Sequence, residues 1–415
     1  MILPQGTTNE TNIKLPLSFI IFSLISFAAS QVILLFAGEP MIDGVFRIPS
    51  LWAAAHLLVL GWALMVAMGA MYQLVPVAFL TPIWNERFGF IQFWISAIGV
   101  TGLALTLYFQ PRLSMYTGGI AVLGILLFLF QMYMTIKKQP EKNIFTLFVG
   151  SALACLLLTI ALGVLLTINI GIGIRGLNHL FILKSHIVLG ITGWFTLLIF
   201  GFSYKMVPMF SLAHGFSMIL SKAVYIVYGV GLLTTITSFY FTDSFLFQIG
   251  LFGLFLGFTL FSYHIFLIIK VRLKKKLDKP FIFSLLAIGT GEIIHLAGLI
   301  LSFFPSQYDY FGILIYLYIF GWIVFSIVGY LYKIVPFLWW THRYSKEIGK
   351  KDVPTLKEMI NDKVSIPLFL LFGIGIVGNT VAMIFKSSLA FYISQSILMF
   401  VTLWFAFIIT AVIRK

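Results

Sequence analysis

The sequence predicts an all-α membrane protein: twelve transmembrane helices in three four-helix pseudo-repeats, with N and C termini cytoplasmic. Three observations predict it. The 415 residues are 60% hydrophobic and only 10% charged, with a mean hydropathy of +1.06. Basic residues crowd every second loop. One motif, G-W-x6-G-x2-Y-x2-V-P, occurs three times without a gap. Its copies are Gly61, Trp62, Gly69, Tyr72, Val75, Pro76; then Gly193, Trp194, Gly201, Tyr204, Val207, Pro208; then Gly321, Trp322, Gly329, Tyr332, Val335, Pro336. A repeat constrains the architecture before any single helix is read.

A spanning helix needs about 20 apolar residues. Twelve such stretches fall at about 15–37, 50–82, 90–110, 115–136, 145–172, 180–212, 220–242, 246–270, 281–304, 309–341, 363–385 and 389–413. The first follows a polar start and lacks a small-residue cleavage site, so it reads as a helix and not a signal peptide. No stretch is left for a soluble domain. Residues 1–415 read as a single transmembrane domain, with pseudo-repeats at about 15–140, 141–278 and 279–415. The lone cysteine, Cys155, excludes an internal disulfide or a cysteine metal cluster.

The net charge is +14. Its placement argues for topology and against a nucleic-acid partner. Lys137, Lys138 and Lys142, then Arg272, Lys274, Lys275 and Lys276, then Lys346, Lys350 and Lys351, follow even-numbered helices. Loops after odd helices hold few cations, among them Arg47, Arg112, Arg175 and Lys386. By the positive-inside rule both termini are expected in the cytoplasm, and the expected location is the plasma membrane of a prokaryotic cell, as a multi-pass protein. The partner this implies is the lipid bilayer, with some attraction to anionic lipid. The charged loop at about 342–362 reads as solvated and cytoplasmic.

The motif falls on helices 2, 6 and 10, all running outside to inside. Three parallel copies argue against the two-halves plan of many transporters. Taken alone, the motif reads as packing. Glycine permits close helix approach, proline ends the inner turn, and Trp and Tyr fill the seam.

Seven histidines remain. His179, His214 and His342 lie near loops and read as interfacial. His56, His186, His264 and His295 are intramembrane, where an ionisable residue is a functional candidate. His56 lies six residues before Trp62 and His186 eight before Trp194, so both sit in the outer half at nearly one level. His295 rises into the outer half too, and Glu292 shares its face. That carboxylate could orient His295, bind a metal with it, shuttle protons, or form a structural pair. His264 lies deeper and reads as structural or as part of a proton path. Only Glu292, Asn169 and Gln31 are polar near the midplane, a weak basis for transport.

Histidines at one depth on parallel apolar helices suit a haem, whose iron takes imidazole as an axial ligand. Lys184, Arg175 and Arg47, at the outer ends, could meet its propionates or be ordinary interface residues. Met65, Met68 and Met71 could serve Cu(I), but their spacing fits packing better.

Twelve helices in three four-helix repeats resemble subunit I of the haem-copper oxidases, nitric oxide reductases included. The G-W, glycine, tyrosine and V-P of helix 10 are similar to those of the C-type (cbb) oxidases. His56 to Pro76 also resembles helix 2 of the NnrS family. The departures matter. No His-His pair occurs anywhere, and the His-x-His positions of helix 10 hold Leu314 and Tyr316. An oxygen-reducing copper centre of the usual type is therefore not expected. The first histidine of the NnrS-like pair falls on Ala54.

The resemblance implies a haem b ligand pair at minus six and minus eight from Trp on neighbouring motif helices. His56 and His186 occupy those positions. The other two rotations give Val188 with Leu314, and Tyr316 with Ala54. The expected site is one b-type haem held by His56 and His186, with Trp62, Lys184, Arg175 and Arg47 around it. A copper or other metal near Glu292 and His295 stays open. The implied function is electron transfer or the handling of a diatomic gas such as nitric oxide or oxygen, with an electron donor or partner subunit. Whether this extends to oxidoreductase catalysis stays open. The alternative is a haem or copper transporter reusing the fold. The haem reading requires the two imidazoles to lie within about 12 Å of each other.

Overall fold

Long apolar stretches leave the backbone no polar partner in lipid, so they close their hydrogen bonds internally as helices. The computed structural model describes residues 11–304 and 310–415 and contains twelve helices long and apolar enough to cross a membrane. They are span 1 (Lys14–Phe36), span 2 (Pro49–Phe79), span 3 (Glu86–Phe109), span 4 (Pro111–Ile136), span 5 (Ile144–Ile172), span 6 (His179–Ser211), span 7 (Ile219–Phe241), span 8 (Ser244–Lys270), span 9 (Lys279–Leu301), span 10 (Tyr310–Glu347), span 11 (Lys363–Phe385) and span 12 (Ser388–Ile413). The polar start at 1–10 and residue 309 of the tenth expected span lie outside the described residues.

Spans 2, 6 and 10 form the centre. Their most apolar windows are 67%, 83% and 61% buried, against at most 50% for any other span. The first helix of each group of four packs on the second, and the fourth packs on the first of the next group, with span 12 returning to span 1. The outer spans turn residues such as Trp94, Phe109 and Phe407 outward, where lipid would cover them. Around the axis, Ala67, Ala70, Leu198 and Leu331 help line an apolar cavity of about 70 Å³. Such a lining offers water few partners, and the hydroxyl of Tyr330, which also lines it, is taken by Ser203.

The motif glycines make the seams. A Cβ on Gly61 would lie 2.7 Å from Ser26, on Gly193 2.9 Å from Cys155 Sγ, and on Gly321 2.9 Å from Thr290. In each repeat the glycine therefore faces the first helix of its own group, and only a hydrogen fits. This also explains Cys155 as a small packing residue.

Two local features differ from expectation. The motif proline does not end its helix: Pro76, Pro208 and Pro336 all lie inside. Spans 2 and 6 run one turn further and stop at Leu80 and Leu212 in the left-handed region, φ 52° and 54°, whose N–H groups donate to Pro76 and Pro208 carbonyls. Pro76 lacks the N–H that would serve the Tyr72 carbonyl, and the Thr11 hydroxyl donates there instead at 3.0 Å. Second, each motif helix contains a π-helical stretch, at Leu57–Leu64, Leu189–Phe195 and Tyr318–Val324, and each stretch holds a Gly-Trp pair. A uniform 100° per residue therefore fails across the motif.

Candidate functional site

Three arcs lie between the motif helices, and each holds a different set of polar side chains. In the arc between spans 2 and 6, the His56 and His186 rings are neighbours, with centres 6.4 Å apart and planes 25° from parallel. His56 sits at the last α-helical position before its π stretch, and His186 just above its own. His56 Nδ1 donates to the Trp52 carbonyl at 2.7 Å and His186 Nδ1 to the Thr159 carbonyl of span 5 at 2.9 Å. A carbonyl only accepts, so both Nδ1 atoms carry the proton and both Nε2 atoms present lone pairs. This is the tautomer and second-shell support that metal-binding imidazoles use. Two metal–nitrogen bonds of about 2 Å, plus roughly 1 Å from each nitrogen to its ring centre, put two axial imidazole centres about 6 Å apart. The 6.4 Å separation suits one metal ion held between two imidazoles.

Span 5 supplies room as well as the Thr159 carbonyl. A Cβ on Gly163 would come within 3.1 Å of His186 Cε1. Sequence reasoning missed Thr159 and Gly163, whose roles depend on which helix packs opposite.

The other two arcs lack this pair. Between spans 10 and 2, Tyr316 takes the register of His56, and its hydroxyl accepts from Asn379 at 3.1 Å. Asn379 donates to Gln395 at 2.8 Å, and Gln395 to Gln31 at 3.0 Å. Between spans 6 and 10, aromatic rings fill the space: Phe258 lies 4.3 Å from the His295 ring and 5.0 Å from Trp322.

His295 and Glu292 diverge. His295 is 7% exposed, its Nδ1 donates to the Gly291 carbonyl of its own helix, and its ring faces Phe258, Tyr318 and Tyr228. Glu292 accepts from the Thr259 and Ser262 hydroxyls of span 8. Span 8 thus takes the carboxylate that sequence spacing offered to His295. Among the described residues, no group of three or more His, Cys, Asp and Glu could hold a metal.

The remaining candidates are placed as follows. Trp62 is fully buried, stacks on Phe27 at 4.5 Å and meets Phe405 edge-on, toward spans 1 and 12. Lys184 reaches the Phe239 ring on span 7, 5.6 Å away, turning from span 2. Arg47 and Arg175 are exposed. Met65, Met68 and Met71 are fully buried, and Met68 sulfur accepts from Gln92 at 3.5 Å, which makes this stripe core. His264 donates from Nε2 to the Ser217 carbonyl at 2.9 Å and accepts at Nδ1 from Tyr204 at 3.3 Å. Asn169 is engaged with Ile174 and His179. Gln31, Asn169 and Glu292 therefore belong to three separate local networks.

No protein-family model matches the sequence, and no curated protein matches it. Among solved structures, a cryo-EM structure of a haem-copper terminal oxidase dimer superimposes with a TM-score of 0.68, covering 98% of this chain and 85% of the other at 12% identity. At that identity the likeness carries the fold alone. The class is a multi-pass, all-helical membrane protein. Within that class, the chain has a fold like that of haem-copper oxidase subunit I.

Proposed function

We propose that the chain binds one b-type haem between spans 2 and 6 through His56 and His186, and that it serves electron transfer in the membrane. The observation that supports this best is the imidazole pair: 6.4 Å between centres, with both Nδ1 atoms tied to carbonyls. The donor set and the apolar wall suit a haem iron. Held by His56 and His186, a haem would supply reversible one-electron chemistry. The protein's own part is to fix both rings, keep both Nε2 atoms unprotonated, and exclude water. Two imidazoles leave no open position for a gas, so electron transfer is preferred over gas binding. An electron donor or partner subunit completes the reading. The arrangement of basic loops supports cytoplasmic termini, and with the haem reading it supports the cell membrane of a prokaryote as the location.

The test is an optical spectrum of the detergent-purified protein, oxidised and reduced, with and without carbon monoxide. Sharp reduced bands unmoved by carbon monoxide are expected. A carbon monoxide shift would mean an open position and favour gas handling. No haem after reconstitution would overturn the proposal and leave haem or copper transport as the better reading.

A further inference from the structure

The histidines sort by which nitrogen keeps its proton. His56, His186 and His295 each donate from Nδ1 to a carbonyl and keep a lone pair on Nε2. His179 is the opposite case. The Asn169 amide oxygen accepts from the Ile174 N–H at 2.8 Å, which fixes which end of that amide is oxygen. Its nitrogen therefore points at His179 Nδ1, 3.1 Å away. An amide nitrogen only donates, so Nδ1 accepts and the neutral ring carries its proton on Nε2. His56 and His186 are shaped to face a cation. His179 is shaped to face an anion.

His179 opens span 6, seven residues before His186, and the π stretch begins only below, at Leu189. Seven α-helical residues return to within about 20° of the same face and rise roughly 10 Å. Both rings are also tethered to span 5 through Nδ1, His186 by Thr159 and His179 by Asn169. Each then presents Nε2 on the side of its ring away from the tether. No protein group accepts from His179 Nε2 among the described residues. The cations expected near this end turn elsewhere: Lys184 lies over Phe239, and Arg47 and Arg175 are exposed.

We infer that His179 binds a carboxylate, its Nε2–H donating to a propionate of the haem held by His56 and His186. The inference rests on the haem reading above and extends it by naming a residue that orients the haem from its outer edge. A hydrogen bond to an ionised acceptor is stronger than one between neutral groups, so its loss shows in affinity.

The experiment titrates purified apo-protein with protohaem and, separately, with protohaem dimethyl ester, whose carboxylates are masked. Wild type is compared with His179→Phe, which keeps the ring and removes both nitrogens, and His179→Gln, which keeps an N–H donor. Protohaem affinity is expected to fall about tenfold in His179→Phe, equivalent to about 1.4 kcal/mol. Ester affinity is expected to be the same in wild type and His179→Phe. His179→Gln is expected to keep the preference for the free acid, and His179→Leu, which also lacks a donor, takes the place of His179→Phe with the same expected outcomes if His179→Phe does not fold. Equal losses for both haems, no loss for either, or no preference for the free acid in wild type overturns the role of His179 while leaving the haem site standing. Failure of wild type to bind either haem overturns both.

Discussion

Trp322 Nε1 donates to Thr196 Oγ1 at 3.0 Å, joining spans 10 and 6. The same hydroxyl bonds Tyr318 at 2.7 Å and donates to the Ile191 carbonyl at 3.0 Å. Thr196 lies two residues after the motif tryptophan of span 6. The matching positions in spans 2 and 10 are Leu64 and Val324. The other two motif tryptophans, Trp62 and Trp194, are buried with no hydrogen-bond partner for Nε1 among the described residues. The threefold plan repeats the shape and supplies one hydroxyl.

Thr196→Val removes that hydroxyl at nearly constant volume and leaves the Trp322 N–H without an acceptor. A loss of about 1–3 kcal/mol is expected, read as a lower melting temperature in detergent. Rotating the contact by one repeat pairs Trp62 with Val324. Val324→Thr is therefore expected to raise the melting temperature. A lowered value would show that the hydroxyl does not reach Trp62.

Gly163 sets the room behind His186. An added Cβ would sit 3.1 Å from the ring, so the ring must shift by a few tenths of an ångström in Gly163→Ala. A branched side chain in Gly163→Val must push it further. The reduced spectrum is expected to change little in Gly163→Ala and to become carbon monoxide-sensitive in Gly163→Val as His186 is displaced. An unchanged spectrum in Gly163→Val would remove His186 from the ligand pair.

What was legible in the sequence follows a physical line. Spans, seams and histidine depth depend on local apolar length and residue order, so the twelve helices and the shared level of His56 and His186 could be read directly. Contacts across helices could not. Glu292 shares a face with His295, yet Thr259 and Ser262, some thirty residues earlier, take its carboxylate. Lys184 has the charge for an anion, yet a ring on span 7 draws it away. The proton positions on His186 and His179 depend on a carbonyl and an amide of span 5, which no spacing rule reveals. The π stretches shift register around the Gly-Trp pair of each motif copy, but nothing in that pair by itself signals a change of helix type.

Gln395 closes the ring of helices. It accepts from Asn379 of span 11 and donates to both the side chain and the backbone carbonyl of Gln31 on span 1, at 3.0 and 3.2 Å. Gln395→Leu keeps most of the volume and leaves Gln31 and Asn379 short of partners. In an apolar surround that is expected to cost about 1–3 kcal/mol. The measurement is the melting temperature, with Gln31→Leu/Gln395→Leu as the companion variant. The double variant should recover part of the loss, because an apolar pair orphans fewer groups than one half of a polar pair.

Asp278 occupies the position just before span 9, and its carboxylate pairs with Lys274 at 2.9 Å and with Lys333 of span 10. Burial alone would raise its pKa, but the hydrogen bonds and charges of the two lysines outweigh it and hold the carboxyl below its ordinary range. A depressed pKa in the folded state means the ion pairs stabilise the protein above the unfolded value, about 3.9, and that this contribution disappears as pH falls through the lower folded value. Asp278→Asn removes the charge at every pH. The wild type is therefore expected to be more stable than Asp278→Asn by about 1–2 kcal/mol at neutral pH, a partly exposed pair lying between the surface and buried limits. The difference should be flat from pH 5 to 8 and shrink below pH 4. Melting curves of both proteins across that range test it, and a gap that persists unchanged at pH 2–3 would assign the effect to packing instead of charge.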